Sequence, residues 1–375
     1  MRFTEVAYPY LMEAARIDHA EDIIYKEGSA GAQRVIKSLE QMEQQGHKDV
    51  TVKWDGKPAI IFGRDENGNF ILTDKSGFTA KGYDGKAKSA DELEAMLKNR
   101  PGYVKDPEGS GPYVAQMKEL FNDYEQAVPT SYRGFFKGDL LYFDTPQLSD
   151  GNYTFTPNTV TYSVDADSDI GQRISKSKTG VVIHRQVSPD GTESPLEDVD
   201  IFQGDRVLVV PPVTAEKPVQ LHAKSIDVLK QTVEKYGPKL DELLNVQELT
   251  ARKMKDFPGV LYSYSNSKVD TGFSDIGSDF IQWLEGSKVS KRKQENIKDY
   301  LQQHQQAFAA LWKIYNTIVH VKDDVVAQID QQGMPVKQSI GGQTGGEGYV
   351  MAHPGGDIKL VPREFFTKAN KEQNR

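Results

Sequence analysis

Apolar residues recur at three- and four-residue spacings through "YLMEAARI" and "AGAQRVIKSLEQMEQQG", which predicts helix over residues 5–46 with Gly46 as the stop. The period then changes. "TVKWDG", "AIIFGRD" and "NFILTDK", between 51 and 83, read as strands. "RDENGN" supplies the Asn-Gly and Asp chemistry of a turn and makes a hairpin of the second and third. "SADELEAMLKNR" opens with Ser89 three residues before Glu92, the spacing of a capping box, and "GPYVAQMKELFNDYEQAV" predicts the next helix. Strands return in "GFFKGDLLYFD", "YTFTPNTVTYSV", "TGVVIHR" and "DRVLVVPP", up to about Pro212.

From about Glu216 to Asp330 the period is helical again, strongest in "SIDVLKQTVEKYGPKLDELL" and in one long segment from Arg292 to Ile329. "SYSNSKVDTGFSD" between them reads as loop. After Pro335 strands reappear, with "EGYVMA" and "IKLVP" joined by the turn sequence "HPGGD". The chain thus divides into an N-terminal helical segment (1–47), a strand-rich part (48–215), a helical block (216–335) and final strands (336–375). Either the block is an insertion and the last strands complete the sheet begun at 51, or the end of the chain is a separate domain.

No run approaches the length of a membrane span, and the start carries acids rather than an apolar signal-peptide core. A membrane partner is therefore not expected, and a cytoplasmic setting is. The absence of cysteine excludes disulfides and thiolate chemistry. A formal net charge of -8 argues against nonspecific coating of nucleic acid and leaves a local basic groove open.

Candidate chemistry starts at Lys53. Alternation puts Lys53 and Asp55 on one strand face, just before Gly56 bends the chain. On the residues alone this is either a ligand-facing pair or a solvated strand end. "KWDG" resembles motif I, KxDG, of the covalent nucleotidyltransferases, the polynucleotide ligases and mRNA capping enzymes. "FFKGDLLYFD" resembles motif III, and "GEGYVMAHPGGDIKLVP" resembles motifs IV and V, with "EGYV" similar to the wording in bacteriophage RNA ligases. The order is the family's, and the likeness covers about residues 48–83, 133–145 and 345–366. The whole chain also resembles a group of tailed-bacteriophage proteins.

The resemblance implies a mixed α/β nucleotidyltransferase fold of the ATP-dependent ligase type with an inserted helical block. It implies Lys53 as the nucleophile that takes AMP from ATP, with Lys359 as the motif V lysine stabilising the reacting phosphate. It implies nucleotide-binding roles for Asp55, Gly56, Arg64, Asp139, Glu347 and Arg363, and Mg²⁺ (or Mn²⁺) held through Asp139 and Glu347. Three departures matter. Asp139 stands where the family commonly has Glu. Pro58 occupies the arginine position of KxDGxR, which leaves Arg64 as the nearest arginine. Val361 replaces the second motif V lysine, and Arg363 shares the face of Lys359 only if the strand runs through Pro362.

Nine residues follow Phe366, too few for the C-terminal OB domain of DNA ligases, so the resemblance points to an RNA-ligase-like protein acting on nucleic-acid ends or nicks. The helical block is expected to grip a partner, nucleic acid or protein. Guanylate in place of adenylate, a degenerate non-enzymatic phage protein, and nucleotidyl transfer to a protein or small molecule are the alternatives. The "KTGVVIHR" strand rivals motif IV but has Thr179 in place of the glutamate. Its His184 and Arg185 either face a ligand or end the strand.

Overall fold

The computed structural model describes residues 18–44, 50–74, 77, 87–188, 192–194, 196, 198–214, 221–269, 271–332, 334–351 and 357–373. The helix expected before residue 18, its stop at Gly46 and the turn at 353–356 lie outside them. The chain is mixed α/β, as expected, with 49% helix, 20% strand and several sheets. It divides into a sheet-rich unit (Trp54–Val213 with Pro335–Ser339) and a helix-rich unit (Ile17–Lys53, Thr214–Met334 and Ile340–Arg375).

The helix-rich unit begins with β1 (Asp18–His19), α1 (Ile24–Gln44) and β2 (Val50–Val52). Gly28 interrupts α1 at φ 59, ψ -140. A Cβ there would also collide with Asp241, whose carboxylate accepts from Ser29 N (2.7 Å) and Ser29 Oγ (2.6 Å). An aspartate from another helix thus caps the restarted helix, the usual task of a local N-cap.

In the sheet-rich unit β3 (Ala59–Arg64) and β4 (Phe70–Asp74) form the predicted hairpin. Asp65 holds its turn by accepting from the backbone N–H of Asn67 and Asn69, each at 2.9 Å. Next come α2 (Ala90–Lys98) and α3 (Pro107–Ala127). The Ser89 cap forms, accepting from Glu92 N at 3.2 Å, and Glu92 reaches back to Lys88 N at 2.7 Å. β5 (Gly134–Tyr142) pairs with β3, and a hairpin of β6 (Asn152–Phe155) and β7 (Thr161–Asp165) follows. β8 (Thr179–Val187), β9 (Glu193–Ser194) and β10 (Val207–Val209) complete the main sheet, ordered β9-β8-β5-β3-β4 with β10 against β8. One face of it buries Ile60, Phe62, Phe136, Leu140 and Val181 against Met117, Leu120, Phe121 and Tyr124 of α3.

The helix-rich unit resumes with α4 (Ala223–Leu243), α5 (Phe257–Lys268), α6 (Lys291–Gln303) and α7 (Gln305–Gln332). Two expectations are corrected here. Loop was expected over 263–275, but residues 263–268 form the second half of α5. Its Gly, Ser and Asn are poor helix formers, but Phe257, Val260, Leu261 and Tyr264 bury one face at helical spacing, and packing outweighs propensity. The long helix expected from Arg292 breaks at His304, which separates α6 from α7. β11 (Val336–Ile340) pairs with β7. β12 (Tyr349–Met351), β13 (Ile358–Leu360) and α8 (Arg363–Gln373) end the chain.

β12 and β13 join β1 and β2 in a four-stranded sheet ordered β1-β13-β12-β2. Strands from both ends of the chain therefore share one sheet, but β2 and β3 belong to different sheets, contrary to a single sheet begun at 51. Among the described residues no helix is long and apolar enough to cross a membrane.

Candidate functional site

Lys53 follows β2, and its N–H donates to Gly348 O at 2.9 Å, continuing the ladder one rung past the strand. Its ammonium pairs with the carboxylate of Glu347, both side chains being under one-fifth exposed. In this sheet Thr51, Val350 and Lys359 lie side by side on β2, β12 and β13. Lys53 is two residues beyond Thr51, so the pleat gives it the same face as Lys359. The opposite face buries Val50, Val52, Tyr349, Met351, Ile358 and Leu360. The sheet therefore turns its apolar side inward and offers two lysines and a carboxylate on its other side. All three belong to the helix-rich unit.

β2 ends at Val52, so alternation does not extend to Asp55 as expected. Asp55 belongs to the sheet-rich unit and is 7% exposed. Its Oδ1 accepts from Asn158 Nδ2 at 2.9 Å, and its Oδ2 from Thr159 N at 2.8 Å and Val160 N at 3.2 Å. The carboxylate ties down the loop before β7 instead of presenting itself to a ligand. Gly56 packs against β5: a Cβ there would lie 2.6 Å from Asp139 Cβ and 2.8 Å from Leu140 O. Backbone cannot yield as a side-chain tip can. Gly56→Ala is expected to destabilise the chain by about 1–3 kcal/mol, as overpacking does, read as a lower urea midpoint. A variant as stable as wild type would refute the close approach.

Asp139 sits on β5 opposite Val182 of β8. The register shift between Lys137/Gly138 leaves His184 as the extra residue of a bulge on β8. The bulge brings His184 Nε2 to 2.9 Å from Asp139 Oδ2, in an exposed imidazole–carboxylate pair. Sequence spacing gave no sign of this pairing, because a bulge has no periodic signature. On the next rung Lys137 pairs with Glu193 at 2.9 Å.

Two arginines expected at a nucleotide are committed elsewhere. Arg64 is 6% exposed and donates to Val128 O, Pro129 O, Gly68 O and Glu125 O at 2.9–3.2 Å. It satisfies carbonyls at the C-terminal end of α3, where a cation also meets the negative end of the helix dipole. Arg363 does not share the face of Lys359. Pro362 cannot donate to a ladder, and the chain turns there into α8. The Arg363 guanidinium, 5% exposed, reaches Asp22 at 3.1 Å, Glu21 at 3.2 Å and the side chain of Asn266. Lys322 joins the cluster through Glu21 at 3.0 Å. Burial pushes Asp22 up to about 7. Burial also opposes the charge on Glu21, but Lys322, His19 and Arg363 outweigh it and hold Glu21 at about 2. The two carboxylates titrate as a unit, Glu21 ionising first. His19 beside them is driven down to about 3, chiefly by burial.

Among the described residues no three His, Asp or Glu side chains cluster to hold a metal. The available donors are single carboxylates, each with a cationic or imidazole neighbour, so a hard cation would fit only where phosphate oxygens complete its shell. No curated protein and no solved structure matches the chain. Over residues 15–375 it matches the model described as "Family of unknown function (DUF6267)", and the chain belongs to that family.

Proposed function

We propose that the chain is an ATP-dependent polynucleotide ligase, acting on RNA ends or nicks through a covalent lysyl-AMP, with the nucleotidyltransferase fold of that superfamily. The observation that carries this reading is the pairing of Lys53 with Glu347 on a sheet face shared with Lys359. These residues come from motif-like segments nearly 300 positions apart in the chain. Lys53 Nζ, once deprotonated, forms a bond to the α-phosphorus of ATP as the bond to pyrophosphate breaks. Glu347, in contact with Nζ, is placed to take the proton. A 5′-phosphate oxygen then displaces Lys53, and a 3′-hydroxyl attacks that 5′-phosphorus with loss of AMP. Bound with the phosphates, Mg²⁺ or Mn²⁺ would neutralise their charge, with Glu347 as its proposed protein ligand. The proposed setting is the cytoplasm, that of the host if the gene is a phage's.

Lys359 faces the charge that develops on the α-phosphate. Lys359→Ala is expected to slow adduct formation about a hundredfold, close to 3 kcal/mol, the loss typical of an aimed donor. An unchanged rate would remove Lys359 from the site. The deciding experiment incubates the full chain with α-labelled ATP or GTP and Mg²⁺ or Mn²⁺, followed by denaturing electrophoresis. A labelled band, acid-labile and alkali-stable as a phosphoramidate is, supports the reading; ATP labelling over GTP assigns adenylate. No band under any condition sinks it. The second reading, a fold retained without chemistry, draws on one observation: Arg363 is buried in its own cluster and cannot replace the lysine missing at Val361.

A further inference from the structure

We infer that His19 is a positioning residue for Lys359, an imidazole on the neighbouring strand whose lone pair fixes where the lysine's ammonium points; the inference rests on the ligase reading above. β1 runs parallel to β13 with His19 in register with Lys359, and Ala20 N–H donates to Lys359 O at 3.1 Å. In-register residues of adjacent strands set their side chains next to each other on one face. Lys359 therefore stands between His19 of β1 and Val350 of β12. Lys53 and Glu347 lie on the Val350 side. His19 closes the other side. All of these residues belong to the helix-rich unit.

The imidazole is held neutral. Burial drives its pKa down to about 3, and the cations of Arg363, Lys322 and Lys359 act in the same direction, against the carboxylate of Glu21. A neutral imidazole offers one lone pair and one N–H, and a lysine ammonium has three donors. Lys359 can thus give one N–H to His19 and aim the others at phosphate oxygens. A carboxylate at this position would neutralise the charge meant for the phosphate, and a second cation would repel it.

The alternative is that His19 serves the buried acids beside it. His19 Nδ1 is buried and has no hydrogen-bond partner among the described residues, and the same holds for Glu21 Oε2. The two do not bond each other. Glu21 Oε1 meets Lys322 at 3.0 Å and Arg363 at 3.2 Å instead. A buried nitrogen without a partner is a cost to the fold that an apolar side chain would avoid. What sets the position apart is its neighbour, Lys359. Nd1 is the acceptor for that ammonium once the nucleotide draws the side chain over the sheet.

The test uses the full chain and single-turnover adduct formation with α-labelled ATP and Mg²⁺. His19→Phe keeps a ring and removes both nitrogens. Its rate at saturating ATP should fall about tenfold, the worth of one charge-assisted hydrogen bond made in the transition state, with the half-saturating ATP concentration unchanged. His19→Asn returns an acceptor at the reach of Nδ1 and should recover most of the loss. In a Lys359→Ala background His19→Phe should slow the reaction no further, because it acts only through that lysine. A wild-type rate in His19→Phe, His19→Asn as slow as His19→Phe, or a full further loss on top of Lys359→Ala overturns the assignment and leaves the ligase reading standing. A second readout needs no turnover. α,β-Methylene-ATP should shield Lys359 from trace acetylation, read by peptide mapping, in wild type and less so in His19→Phe, while exposed Lys105 labels alike in both. Equal shielding overturns the assignment too. A wild-type chain that forms no adduct ends the ligase reading and this inference with it.

Discussion

Lys53→Arg is expected to leave no labelled adduct where wild type forms one with ATP. The guanidinium keeps the positive charge and can still pair with Glu347, so the fold and the ion pair survive. It does not offer a lone pair, because arginine stays protonated and delocalised at any working pH. Lys53→Ala should give the same null result by a different route, leaving Glu347 without its cation. Two variants that differ in charge and agree in outcome would tie the loss to nucleophilicity. Lys53→Arg should unfold within about 1 kcal/mol of wild type because it keeps the pair, whereas Lys53→Ala should lose more, because both side chains of the pair are under one-fifth exposed and truncation removes a cation from a largely buried carboxylate. An adduct persisting in Lys53→Arg would place the nucleophile on another residue. Peptide mapping of the labelled band would then identify it.

The largest expected loss of stability comes from the cluster around Arg363. Arg363→Met should destabilise the chain by about 3–5 kcal/mol at pH 8, because it strands buried Asp22 beside Glu21 with one cation fewer. The penalty is expected to depend on pH. Asp22 already sits at about 7, well above the usual 3.8 of its type, and removing Arg363 raises it further. A carboxyl whose folded value is raised contributes stability that is present below its unfolded value and lost as pH rises through the folded one. The variant should therefore lose most against wild type above pH 7 and recover part of the gap as the pH falls toward 5. Urea midpoints at the two pH values measure it. An equal penalty at both, or one under about 1 kcal/mol, would mean that the cluster is not ionised as its geometry implies.

The local elements were largely readable from the chain. The hairpin formed because Asp65 and Gly68 fit its turn, and α2 started at Ser89 because a hydroxyl there satisfies an open N–H. Such signals involve neighbours in sequence, where propensity and alternation act. They misled where burial overrode them, as in α5, whose poor helix formers fold because Phe257, Leu261 and Tyr264 leave water together.

By itself the sequence singled out residues whose types suit the proposed chemistry: an amine at 53, carboxylates at 139 and 347, and a lysine at 359, each on or beside an apolar strand. It did not determine which of them meet. Tertiary structure joined Lys53 to Glu347 across about 300 residues, paired Asp139 with His184 through a bulge, and enclosed Asp55 in donors from 158–160. It also made Arg64 and Arg363 into struts, one for the carbonyls at the end of α3, the other for Glu21 and Asp22 at the opposite end of the chain. An arginine's sequence neighbours say little about this, because a guanidinium is claimed by whichever buried acceptors the fold would otherwise leave unpaired. Those acceptors become neighbours only when distant segments pack.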